Sequence, residues 1–229
     1  MSVSGSPRQL AFALEHAESF AREDFLPGPS NAVALALIES WPDWPARAVA
    51  LVGPEGAGKS HLAAIWAAAS GARFLSGRAL AEADPPAALA TGALVLEDLA
   101  EGAFDERALF HLINLAREEE AYLLITAASP PAGWAVAIRD LGSRLKALPV
   151  VTLSAPDDAL LRAVLVKLFA DRQLDVDAAL VEYVATHIER SFAAAREAVA
   201  ELDAEAMRRK RPLTRALAAD FLRQGRLDL

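Results

Sequence analysis

The sequence predicts an α/β fold: a five-stranded parallel sheet with flanking helices, followed by a small all-α unit. Three observations carry this. Short apolar runs alternate with stretches of helical periodicity between residues 48 and 153. Such alternation implies parallel strands covered on both faces. A glycine-rich loop, GPEGAGKSH at Gly53–His61, joins the first apolar run to the helical stretch after it. After SAPDD at 154–158 the alternation stops, and only helical patterns remain.

The elements follow in order. Residues 32–40 read as a helix, stopped by WPDWP at 41–45. Residues 48–52 form a short apolar run ending at a glycine, the mark of a buried strand. Residues 59–69 are helical and 73–75 make a short strand. Residues 93–96 are a second buried strand, closed by Glu97 and Asp98. A helix over 105–119, a strand over 122–126, a helix over 138–147 and a strand over 150–153 complete the sheet. Helices are then expected over 157–172, 178–188, 192–209 and 214–223, with Pro212 separating the last two. The chain divides into an N-terminal segment (1–22), expected to be flexible, an α/β domain (23–155) and a helical lid (156–229).

Composition narrows the chemistry. No cysteine is present among 229 residues, which excludes disulfides, thiolate nucleophiles and thiolate metal sites. No secretory signal pattern is visible, and no uncharged apolar run reaches the roughly 20 residues of a membrane span. A cytoplasmic protein without membrane contact is the expectation. The net charge of −8 speaks against a duplex-gripping basic face, so no direct sequence-specific DNA binding is expected. The dense basic run Arg208–Arg211 reads as a solvated helix terminus, where cations suit the helix dipole.

The loop matches G-x-x-x-x-G-K-[ST] at every fixed position, between a strand and a helix. Its residues are Gly53, Pro54, Glu55, Gly56, Ala57, Gly58, Lys59 and Ser60, with His61 following into the helix. Glycines let the backbone wrap a phosphate with its N–H groups inward, and the helix N-terminus adds positive potential. Lys59 would reach the β- and γ-phosphates and Ser60 would ligate Mg²⁺. Glu97 and Asp98 end an apolar strand, as a Mg²⁺-bound nucleotide requires. Glu97 is placed as the metal ligand and Asp98 as the group polarising water. A Glu in the first position is longer by one methylene than the common Asp, and Mg²⁺ is strict about geometry.

These elements resemble an AAA+ P-loop ATPase, and more narrowly the ATPase core of DnaA, the bacterial replication initiator. FLPGPSN at 25–31 resembles the family's F-x-x-G-x-x-N loop bordering adenine, so the resemblance places Phe25, Gly28 and Asn31 at the base. DLGSRLK at 140–146 resembles its arginine-finger box, which makes Arg144 a finger acting in trans. Only seven residues follow Leu222, so DnaA's DNA-reading domain is expected to be missing. Near the N-terminus, QLAFAL resembles the sliding-clamp-binding hexapeptide; Gln9, Leu10, Phe12 and Leu14 would enter the clamp's pocket as an extended strand.

A clamp motif joined to a DnaA-like core is the pattern of the Hda family, the regulatory inactivators of DnaA. The resemblance implies bound ADP or ATP with Mg²⁺, and two partners: DnaA and the β subunit of DNA polymerase III. A homodimer is left open. It also implies little hydrolysis of the chain's own nucleotide. DnaA's first sensor position aligns with Ala128, beside Ser129, and its second with Ala193 or Ala194. Arg190 is placed as the substitute second sensor, and Arg196 on a different face. The alternative is a genuine ATP-hydrolysing AAA+ protein of helicase-loader type.

Overall fold

The structure, a computed structural model, describes residues 20–223. Its sheet has five strands: β1 (Ala48–Val52), β2 (Arg73–Ser76), β3 (Ala93–Leu99), β4 (Tyr122–Ala127) and β5 (Val150–Thr152). All pairings are parallel and the order is β2-β3-β4-β1-β5. Burial explains the composition of the middle strands. Val49, Leu51, Val95, Leu124 and Ile125 are fully shielded, because helices cover both faces.

The helices of this layer are α1 (Ala32–Glu39), α2 (Lys59–Ser70), α3 (Pro85–Leu89), α4 (Glu106–Glu118) and α5 (Arg139–Ala147). α1 and α2 bury Leu35, Ile38, Leu62 and Trp66 on one face of the sheet, where Trp44 stacks on Trp66. α4 and α5 bury Leu109, Leu112, Leu141 and Leu145 on the other. Trp66 and Trp134 both pack inside. α4 starts where Asp105 accepts a hydrogen bond from the Ala108 N–H, satisfying one of the free donors of the first turn.

The helical unit has its own core. It comprises α6 (Asp158–Asp171), α7 (Ala178–His187), α8 (Phe192–Arg209) and α9 (Arg215–Arg223). Leu161, Leu165, Phe169, Val184, Val199 and Leu202 interlock there. Asp157, Asp177 and Ser191 cap the first three of these helices. The basic run at the end of α8 is only partly solvated: Arg208 and Arg209 both pair with Glu205, whose side chain is buried. A buried carboxylate requires such partners. Among the described residues no helix is long and apolar enough to cross a membrane.

Candidate nucleotide site

The order of the strands decides where the site lies. β1 and β3 flank β4, so the loop after β1 and the carboxylates ending β3 meet at the carboxyl edge of the sheet. Crevices at that edge are where open α/β sheets bind ligands.

The loop is shaped by its glycines. Gly56 and Gly58 have φ of 70° and 97°, which side chains rarely adopt. Gly58 is the N-cap of α2, so the helix points its free N–H groups into the loop. A Cβ on Gly53 would lie 2.5 Å from the Leu153 carbonyl oxygen, so only glycine fits beside the end of β5. The Lys59 ammonium donates to the Gly53 and Pro54 carbonyl oxygens, at 2.8 Å each. Burial pushes its pKa down, against the opposing pull of Asp98 and Glu55. Those carbonyls hold the cation at the mouth of the loop, where a polyphosphate would compete for it.

β3 carries a bulge at the carboxylates. Leu96 pairs with Ile125 but Leu99 pairs with Ala127, so β3 holds one residue more than β4. Asp98 has φ 52°, and its N–H donates to the Thr126 hydroxyl at 3.0 Å. Thr126 is fully buried in an otherwise apolar strand. Glu97 accepts a hydrogen bond from Ser60, which places the two expected metal ligands side by side. Desolvation first, and the Asp98 charge second, raise the Glu97 pKa; the Ser60 bond opposes them. Glu97, Ser60 and the loop backbone therefore suit a Mg²⁺–polyphosphate group. Glu97 and Ser60 would hold the ion, which supplies charge neutralisation on the phosphates.

The lid closes the other side. The Phe192 N–H donates to the Gly56 carbonyl at 2.9 Å, and a Cβ on Gly56 would lie 2.9 Å from the Ser191 Cβ. A cavity of about 720 Å³ opens between the loop, the lid and residues 20–26. Phe25, Asn31, Gly58 and His61 are among the residues that line it. Asn31 fixes the preceding turn, accepting from the Gly28 N–H and donating to the Leu26 carbonyl. Gly28 sits where a Cβ would strike Leu160 of α6. His61 packs edge-on against Phe20 and Phe25. Glu55 stays exposed at the loop tip, while Ala57 is buried under the loop.

Two expectations are corrected here. Arg190 does not line this cavity; it pairs with Asp158 at 2.6 Å, and its side chain is 63% exposed. It lies ahead of the Ser191 cap, outside α8, and faces the start of α6. Arg196 instead lines the cavity together with Ala193, Glu197 and Ala200. These positions are i, i+3, i+4 and i+7, one face of a helix, and that spacing was readable from the sequence. Ser129, the nearest polar group to the first sensor position, accepts from the Trp134 indole at 2.9 Å. Thr126, Asp24, Lys167 and Arg172 were missed altogether. Thr126 left a signal, a lone polar residue closing an apolar strand. The other three meet only through packing of the lid.

Arg144 stands apart from all of this. α5 leads into the start of β5, and Arg144 lines a groove with Ala46, Arg47 and Pro149, at the amino edge of the sheet. The five residues of β1 separate that edge from the loop, about 16 Å at 3.3 Å per residue. Its guanidinium lies 5.5 Å over the Phe110 ring and forms no ion pair with Asp140 among the described residues. Gln9, Leu10, Phe12 and Leu14 lie outside the described residues.

An α/β core with a glycine-rich phosphate-loop-like turn and a helical lid is thus the class that fold and site define. No family model matches the chain, and no curated protein does. Solved structures do. Domain III of the Thermotoga maritima replication initiation protein DnaA superposes with a TM-score of 0.74 at 16% identity, covering 90% of this chain and 96% of that one. AMPPCP-bound DnaA from Aquifex aeolicus gives 0.64 at 15% identity, over 80% and 65% of the two chains. The RuvB branch migration motor of Thermotoga maritima gives 0.67 at 16%, over 90% and 72%. The fold is shared with DnaA domain III and with the RuvB motor.

Proposed function

We propose that this chain is a regulatory AAA+ protein that holds a nucleotide and promotes hydrolysis of ATP bound to DnaA. The observation that carries the reading is the position of Arg144: over Phe110, without an ion pair among the described residues, at the sheet edge opposite its own phosphate loop. A guanidinium there cannot serve its own γ-phosphate. Supplied in trans, such a group accelerates phosphoryl transfer by about 10³- to 10⁵-fold.

The chain's own nucleotide is held rather than turned over. Lys59, the loop amides and the helix dipole bind phosphates, and Ser60 with Glu97 holds Mg²⁺. Ala128 and Ala193 put no polar group at the two sensor positions. Stabilisation of developing charge on the γ-phosphate is correspondingly weak. ADP is the expected resident. Residues 9–14 tether the protein to the sliding clamp in the cytoplasm. This is the behaviour of the Hda family.

The test is DnaA's ATP turnover with DNA-loaded clamp. Arg144→Ala should reduce stimulation at least 100-fold while leaving ADP binding unchanged. Deleting residues 9–14 should abolish clamp binding. Normal stimulation by both variants would defeat the reading. Arg196 on the cavity wall favours the second reading, an ATPase of helicase-loader type acting on its own nucleotide. That reading requires turnover by the purified chain, lost with Lys59→Ala.

A further inference from the structure

The groove beside Arg144 encloses about 640 Å³ between α4, α5 and the amino ends of β1 and β4. Its floor is apolar, formed by Ile113, Ala116, Leu123 and Leu148. Three guanidiniums line it, those of Arg47, Arg117 and Arg144, against one carboxylate, Asp140. Arg47 is committed: it donates to the Glu120 carbonyl and pairs with the Glu120 carboxylate at 3.0 Å. Arg117 is exposed on α4, and its guanidinium has no ion pair or hydrogen bond among the described residues. It stands seven residues beyond Phe110, the platform under Arg144. Those positions share one face of α4, about 10 Å apart at 1.5 Å per residue.

Among the described residues the Arg117 and Arg144 guanidiniums are free of ion pairs beside an apolar floor, in a chain of net charge −8. Each is ready to take an anion without first breaking a bond. We infer that Arg117 is a docking residue for the partner ATPase, gripping a carboxylate at the rim of the partner's nucleotide site while Arg144 faces the triphosphate. The inference rests on the proposed function. Charge complementarity selects the occupant. In this chain the carboxyl edge carries Glu55, Glu97 and Asp98, and in a partner of the same fold a bound triphosphate makes that edge anionic. A fork-shaped guanidinium fits a carboxylate with two parallel hydrogen bonds. Two fixed cations also set the register in which the finger arrives.

The experiment titrates the full chain against DnaA loaded with AMPPCP, followed by fluorescence anisotropy, at two salt concentrations. Arg117→Ala should weaken binding about tenfold and flatten the salt dependence. Arg117→Lys should recover only part of the loss. In turnover assays Arg117→Ala should raise the half-maximal concentration and leave the saturating rate intact, whereas Arg144→Ala should lower the saturating rate. Wild-type binding by Arg117→Ala overturns the inference, even if Arg144→Ala behaves as expected. If Arg144→Ala stimulates normally, the proposed function falls, and the binding arm still decides on Arg117. An effect of Arg117→Ala confined to self-association also overturns it, because the occupant would then be a second copy.

Discussion

Glu97 is where one residue's chemistry is most exposed to test. Its pKa is raised chiefly by burial, then by Asp98. A carboxyl whose folded pKa exceeds its unfolded one binds protons more tightly in the native state. Its stabilising contribution is present below the unfolded pKa and is lost as pH rises through the folded one. Glu97→Gln should therefore melt at the same temperature as wild type near pH 4, and higher than wild type at pH 7, without nucleotide. Equal melting temperatures at pH 7 would show that the carboxylate is not penalised. With Mg²⁺–ADP present the order should reverse, because the amide is a poorer ligand for a hard cation. Gly56 offers a second test at this scale. A side chain there needs φ 70° and would meet Ser191 and Ala193 of the lid. Gly56→Ala should cost more than about 1 kcal/mol in stability and weaken ADP binding, read by melting and calorimetry.

Among the elements, residues 20–25 and α6 form a strap across the cavity. Lys167 pairs with Asp24 and with Asp171 of its own helix, both at 2.7 Å. Burial lowers the Lys167 pKa, but hydrogen bonds and the charges of both aspartates outweigh it, and the net shift is upward. Arg22 pairs with Glu39 of α1, which ties the segment to the core on the other side. The segment thus joins core to lid at the cavity rim. Asp24→Asn removes one partner and leaves Asp171, so the helix itself is spared. A partly exposed ion pair contributes about 1 kcal/mol at most, so release of fluorescent ADP should quicken no more than about fivefold. An unchanged rate in stopped flow would show that the strap does not hold the lid.

For the molecule as a whole, one cavity is shared by the α/β unit and the helical unit, each packed around its own core. Loop and lid touch directly through Gly56 and Phe192, and the cavity is lined from both sides. A ligand at 100 times its dissociation constant stabilises the folded state by about 2.7 kcal/mol. In a chain of this size that raises the melting temperature by about 5–10 °C. Removing nucleotide should lower the transition by that amount, and Lys59→Ala should abolish the difference. A shift that survives Lys59→Ala would place the ligand elsewhere.

Local pattern alone determined much of this protein. The five strands, the phosphate loop and the four lid helices are written in periodicities that any short window displays, because burial on one face or two is a local demand. Ser60 and Glu97 were legible for the same reason: each ends or begins an element whose neighbours announce it. Which residues from distant elements share a space came from three-dimensional packing alone. The bulge that seats Asp98 depends on Thr126 in another strand. Arg196 enters the cavity and Arg190 leaves it because of how α8 docks on the loop, and Lys167 finds Asp24 across the lid. Arg144 lies at the amino edge, beside Arg117 and away from the loop, because α5 returns the chain to the start of β5. Contacts between elements far apart in sequence are set by packing, and packing has no period to read.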